Sequence, residues 1–214
     1  MSSKPGNNTI VKDAFALFSI TIIAAILLAF VYEITKDPIA KQVEVSNQKA
    51  YQAVYKEAKS FSESDEIAEQ VKDSENVLAE ATKSGLGEFD NITIDKALQA
   101  LDDAGNVIGY VVNVTTGNGY GGNIAISIGI TQDGTMKGVE ILSMKETAGL
   151  GAKASEDSFK DQYKDKSVES FTVTKTGAKS DSEIDAISGA TITSKAVTNA
   201  VNAGIYFARN CLFK

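Results

Sequence analysis

VIGYVVNVTT at residues 107–116, NIAISIGIT at 123–131 and MKGVEILSM at 136–144 are the three runs that decide the fold. Each is rich in β-branched residues, and turn formers separate them: DDAGN at 102–106, the glycine cluster at 117–122, and Asp133-Gly134. The spacing predicts an antiparallel meander over residues 94–144, with a hairpin at the Asp-Gly pair. A helical stretch around 155–163 is expected next, then a short strand at 171–175 and a loop of small and acidic residues. The chain closes in a helix over about 193–209. Its apolar stripe of Ala196, Val197, Ala200, Val201, Gly204, Ile205 and Ala208 is expected to cover the sheet.

The N-terminal part reads differently. Residues 14–32, AFALFSITIIAAILLAFVY, carry no charge and only Ser19 and Thr21 as polar residues. At 1.5 Å per residue they span roughly 28 Å, close to a hydrocarbon core of about 30 Å. The run exceeds the apolar part of a signal peptide and no convincing cleavage site follows it, so a retained anchor in the lipid bilayer is expected. Flanking charges, Lys4 and Lys12 on one side and Lys36 and Lys41 on the other, only weakly favour a cytoplasmic N-terminus. A helix starting at Pro38 is expected to lead away from the membrane, with Ile39, Val43, Ala50, Val54 and Ala58 at mostly helical spacing. Residues 59–90 are polar and weakly periodic, which predicts loops and one short helix near 77–81. The organisation is therefore α+β: a tail at 1–13, one transmembrane helix at 14–34, a helical and loop connection at 35–90 packed on the domain, and a domain at 91–214 whose antiparallel sheet is flanked by helices.

The composition narrows the chemistry. There is no histidine, which removes the commonest general base, the Ser-His-Asp arrangement and His-ligated metals. The single cysteine, Cys211, supports no intramolecular disulfide, zinc site or iron-sulfur cluster and reads as a small apolar residue. A net charge of −7 without a basic stripe argues against nucleic acid as a partner. No metal site and no catalytic residue is expected. If electrons are moved, an organic cofactor must carry them. Asn7, Asn91 and Asn113 each begin an Asn-x-Thr sequon.

Before the last helix stands DAISGAT, residues 185–191. A glycine between small residues at a helix entrance leaves N–H groups exposed at the positive end of the dipole, which suits a phosphate, although Ser and Thr there serve equally as an ordinary cap. The string Asp-x-x-Ser-Gly-Ala-Thr resembles the flavinylation motif of the FMN-binding domain shared by the G subunit of the Rnf electron-transport complex and the C subunit of the sodium-pumping NADH:quinone reductase. Two more segments match in order: Gly119, Tyr120, Gly121 and Gly122 before the second strand resemble the family's strand-edge glycines, and Glu146, Thr147, Ala148, Gly149, Leu150 and Gly151 resemble its ETPGLG loop, with Ala148 in place of proline.

The resemblance implies FMN joined by a phosphoester to Thr191, attached by a separate flavin transferase that reads Asp185, Ser188, Gly189 and Ala190. It implies that the two glycine segments lie close to the flavin, and that the domain is extracytoplasmic on a single-pass cell-membrane anchor. It further implies an electron-transfer subunit of an ion-translocating oxidoreductase, partnered by the other membrane and peripheral subunits of an Rnf-type complex, without complete activity of its own. The length fits the Rnf subunit better than the longer quinone-reductase subunit. A membrane-anchored small-ligand or sensor domain is the reading in which the resemblance means nothing.

Overall fold

In a computed structural model, residues 7–213 are described; residues 1–6 of the expected tail lie outside them. The chain divides into two compact units, one up to Ser46 and the other from Asn47 onward.

Helix α1, Asn7–Val54, runs through the apolar stretch and past Pro38 without ending. This corrects the expectation of a second helix starting at that proline. Pro38 removes one backbone donor, the bond to the carbonyl four residues earlier, and the helix tolerates the loss. Thr35 just before it donates to the Val31 carbonyl at 2.8 Å, and Ser19 and Thr21 return their hydroxyls to Phe15 and Phe18 at 2.8 and 2.9 Å. The polar groups of the span are thereby satisfied within the helix, as an apolar surrounding demands. The large apolar side chains of residues 14–34, Phe15 to Leu28 among them, stand exposed.

In the second unit, strands β1 (Ser60–Ser62), β2 (Ile92–Leu101), β3 (Val107–Thr116), β4 (Ile124–Thr131) and β5 (Met136–Ser143) form one antiparallel sheet in that order. Strand β2 opens the meander expected from residue 94 but is not one of its three quoted runs, because its alternation breaks: Ile92 and Ile94 face the core, then a bulge between Ile94 and Lys96 turns Ala97 inward. Helix α2, Asp65–Lys83, takes in the short helix expected near 77–81 and replaces the loops expected before it. Ser64 caps it by accepting from Ile67 N–H, Asp65 and Glu66 occupy its first turn, and Ile67, Ser74, Leu78 and Ala81 form a narrow buried stripe. The short helix α3, Asp157–Lys160, lies between two tight turns, and β6 (Thr172–Thr174) pairs in parallel with β7 (Glu183–Asp185) as a separate two-stranded sheet.

Helix α4, Thr191–Phe207, begins two residues earlier than expected and continues into a wide turn at Ala208–Leu212. It packs on β3 and β4, where Ile124, Ile126, Ile128 and Ile130 are fully buried. Each such side chain stabilises by about 1.5–3 kcal/mol. The opposite sheet face is covered by Tyr51 and Val54 of α1's last turns together with Tyr55 and Ala58. Contact is so close that a Cβ at Gly129 would collide with the Val54 carbonyl. Tyr51 accepts at its hydroxyl from Asn113 Nδ2 at 2.9 Å, which leaves the Asn113 sequon buried.

Candidate functional site

Three separate segments meet at one cleft. The loop after β3, the loop after β5 and the entrance of α4 enclose about 530 Å³ lined by Tyr120, Glu146, Thr147, Leu150, Gly151, Gly189, Ala190, Thr191, Ile192 and Thr193. That volume lies in the range of small-molecule and cofactor sites. Tyr120, Leu150 and Ile192 are large apolar side chains left exposed at its rim.

The entrance of α4 is built for an anion. Its N-cap is Ala190, which has no side-chain group to offer, so the first N–H groups of the helix go without a side-chain cap. The hydroxyls around it are divided. Ser194 donates to the Ala190 carbonyl and accepts from Ile187 N–H, both at 2.9 Å. Thr193 is buried and donates to Glu146 Oε2 at 3.0 Å. Thr191, half-buried at the first helical position, makes no side-chain hydrogen bond among the described residues and faces the cleft. The cap reading of SGAT therefore fails on geometry: neither Ser188 nor Thr191 caps α4 with its side chain.

Glu146 is turned into the protein. Its other oxygen accepts from Gly121 N–H at 3.0 Å, so one carboxylate joins the glycine cluster to the first turn of α4. The glycines thereby gain a second role. A Cβ at Gly121 would collide with the Lys145 carbonyl, and one at Gly151 with the Glu146 carboxylate and the Thr193 hydroxyl. Both are demanded by the protein's own packing. At Gly149, by contrast, a Cβ would meet nothing within 4 Å, and φ of +77° is the constraint.

Of the residues singled out in the sequence, Gly121, Gly122 and Gly149 are not among those lining the cleft, and Asp185 and Ser188 lie elsewhere. Both border a second depression beside Phe159 and Gln162. Asp185 N–H donates to Gln162 Oε1 at 2.6 Å, which fixes the start of the motif to the turn after α3. Ile192 and Thr193 line the cleft without having been singled out. Thr193 was legible only as a helix residue, since nothing local shows that it meets a carboxylate 47 positions away. Cys211 is half-buried, and burial pushes its thiol up, with Asp73 adding to the effect.

Residues 119–206 match the family of FMN-binding domains, and residues 1–54 match the RnfG N-terminal region. The G subunit of the Na+-translocating ferredoxin:NAD+ oxidoreductase complex of Acetobacterium woodii is 36% identical over 201 residues, covering 93% of this chain and 91% of its own. The chain belongs to this G-subunit family. The G subunit of the proton-translocating complex of Clostridium ljungdahlii is 34% identical over 203 residues, covering 91% and 92% of the two chains. The G subunit of an ion-translocating oxidoreductase complex of Methanosarcina acetivorans is 32% identical over 197 residues, covering 92% and 93%. The solved C subunit of the Na+-translocating NADH-quinone reductase of Parabacteroides distasonis is a more distant likeness, 19% identical with a TM-score of 0.42 over 69% of this chain and 96% of its own. These three relatives at 30% identity or more thus carry the G-subunit name, the reading that length favoured.

Proposed function

We propose that this chain is the electron-transferring G subunit of a membrane-bound ferredoxin:NAD oxidoreductase complex, with FMN joined through its phosphate to Thr191 Oγ1. One observation carries the attachment: in the first turn of α4 the hydroxyls of Thr193 and Ser194 are committed to internal hydrogen bonds, whereas that of Thr191 makes none among the described residues and lines the cleft. The residues fit the group. Uncapped N–H groups and the helix dipole receive the phosphate, Gly189 at φ +77° lets the chain turn sharply into the helix, and Tyr120 and Leu150 offer apolar surface to a planar ring. Bound FMN supplies one- and two-electron transfer. The chain's part is to hold it, orient it and keep it from being lost.

The anchor supports a membrane site, since α1 is long and apolar enough to cross a bilayer. In this reading residues 1–13 are cytoplasmic, 14–34 cross the membrane once, 35–90 connect, and 91–214 form the FMN-binding domain outside the cytoplasm, beside the complex's other subunits. Asp185, Ser188, Gly189 and Ala190 are read by a flavin transferase; the exposure of Asp185, Ser188 and Gly189 supports their availability.

Intact-mass analysis and flavin fluorescence on a denaturing gel test the attachment. Wild type and Thr193→Val are expected to carry FMN mass through denaturation, and Thr191→Ala to lose it. Flavin retained by Thr191→Ala refutes the assignment.

A further inference from the structure

A phosphodiester at Thr191 keeps one negative charge at neutral pH, and among the described residues the cleft lining provides no cation to meet it. Among the described residues the only charged side chain lining the cleft is Glu146, a carboxylate, and both its oxygens already accept from the protein. The first turn of α4 holds no charged residue at all. One turn further stands Lys195, exposed and paired with no carboxylate among the described residues.

We propose that the Lys195 ammonium is the counter-charge of the phosphodiester at Thr191 and thereby a positioning residue for the flavin; the inference rests on the attachment reading above. Residues four apart on a helix are neighbours on one face, about 5–6 Å between Cβ atoms. Helical side chains lean toward the N-terminus, so a residue covers the turn that precedes it. Lys195 therefore covers the turn bearing Thr191, and its flexible stem carries the charge to the end of the helix, where the dipole already favours an anion. A tether with one charged point held in this way has fewer orientations than one fixed at the Thr191 hydroxyl alone. The paired ammonium limits the swing of the flavin about the threonine side chain.

The test uses the full-length protein with and without flavin, the latter as Thr191→Ala. Each is labelled with a trace of an amine-acylating reagent, and the rate at each lysine is read by mass spectrometry. Only the neutral amine reacts, so pairing with the diester slows Lys195 several-fold in the flavinylated chain. Exposed Lys175 is expected to react equally in both. At about 1 M salt, where the screening length falls to ~3 Å, the Lys195 difference is expected to shrink, which steric shielding by the flavin would not do. Steady-state flavin anisotropy gives a second readout: it falls in Lys195→Gln and is kept in Lys195→Arg. Equal reactivity of Lys195 in both forms, a difference that survives high salt, or slowing at Lys145 in its place overturns the proposal. Attachment is read first by intact mass, so its failure is seen separately and removes both readings.

Discussion

Thr193 donates its hydroxyl to Glu146 Oε2 at 3.0 Å, and this bond crosses from the first turn of the last helix to the loop after β5. Gly121 N–H holds the carboxylate's other oxygen at the same distance. The two cleft walls are thus set by a protein-internal clasp. The spacing between the glycine cluster and Thr191 follows from it, and a bound group meets walls already in place.

Glu146→Ala breaks both bonds and leaves a buried hydroxyl and an N–H without their acceptor. Losses of this kind cost about 1–3 kcal/mol. A lower urea midpoint with an unchanged slope is expected, and Glu146→Gln, which keeps one acceptor oxygen, should fall between. A midpoint equal to wild type for Glu146→Ala would mean the clasp contributes nothing to stability.

The two loop glycines should separate cleanly. Gly121→Ala forces a Cβ into the Lys145 carbonyl, whereas Gly149→Ala enters open space and meets only its left-handed backbone. The latter strain is about 1–2 kcal/mol. Thermal unfolding is expected to show the larger loss in Gly121→Ala, and the reverse order would contradict the packing role assigned to Gly121.

Two aspartates should bend the acid stability curve in opposite senses. The Asp102 carboxyl is held below its usual range by the Asn106 side chain and by N–H groups of the β2–β3 turn. Its folded value is depressed, so its contribution is complete above the unfolded value of about 3.9 and is lost as pH falls through the folded value. Asp95 is pushed up by burial, against its bond from Thr115. For it, stability declines as pH rises from the unfolded value through the raised folded one. Relative to wild type, Asp102→Asn is expected to flatten the fall of melting temperature below about pH 4, and Asp95→Asn to improve stability toward neutral pH. Parallel curves for all three proteins would refute both assignments.

Orientation can be read with one introduced thiol. In a Cys211→Ser background, a cysteine at exposed Ser180 is expected to react with an impermeant thiol reagent on intact cells. Reaction only after lysis would place the domain inside.

Elements whose evidence is local were legible in the sequence by itself. The apolar span of α1, the alternation of β4 and the apolar stripe of α4 are periodicities of neighbouring residues, and backbone geometry converts each directly into an element. The order of the glycine cluster, the Glu146 loop and the Thr191 motif along the chain was equally plain. Helix α2 was obscured because its stripe is a few apolar residues on a polar helix, stabilised mainly by packing. Strand β2 was obscured because one bulged residue reverses its alternation, and α1 passes Pro38 where local propensity predicts a boundary. Only the tertiary structure decided that Tyr120, Glu146 and Thr191 line one cleft while Asp185 and Ser188 border another. It also decided that Glu146 faces Thr193, and that in the first turn of α4 the hydroxyl left without a partner among the described residues is that of Thr191. The physical reason is that sheet register and the seating of α4 on β3 and β4 set these distances, through contacts between residues far apart in the chain that no local pattern records.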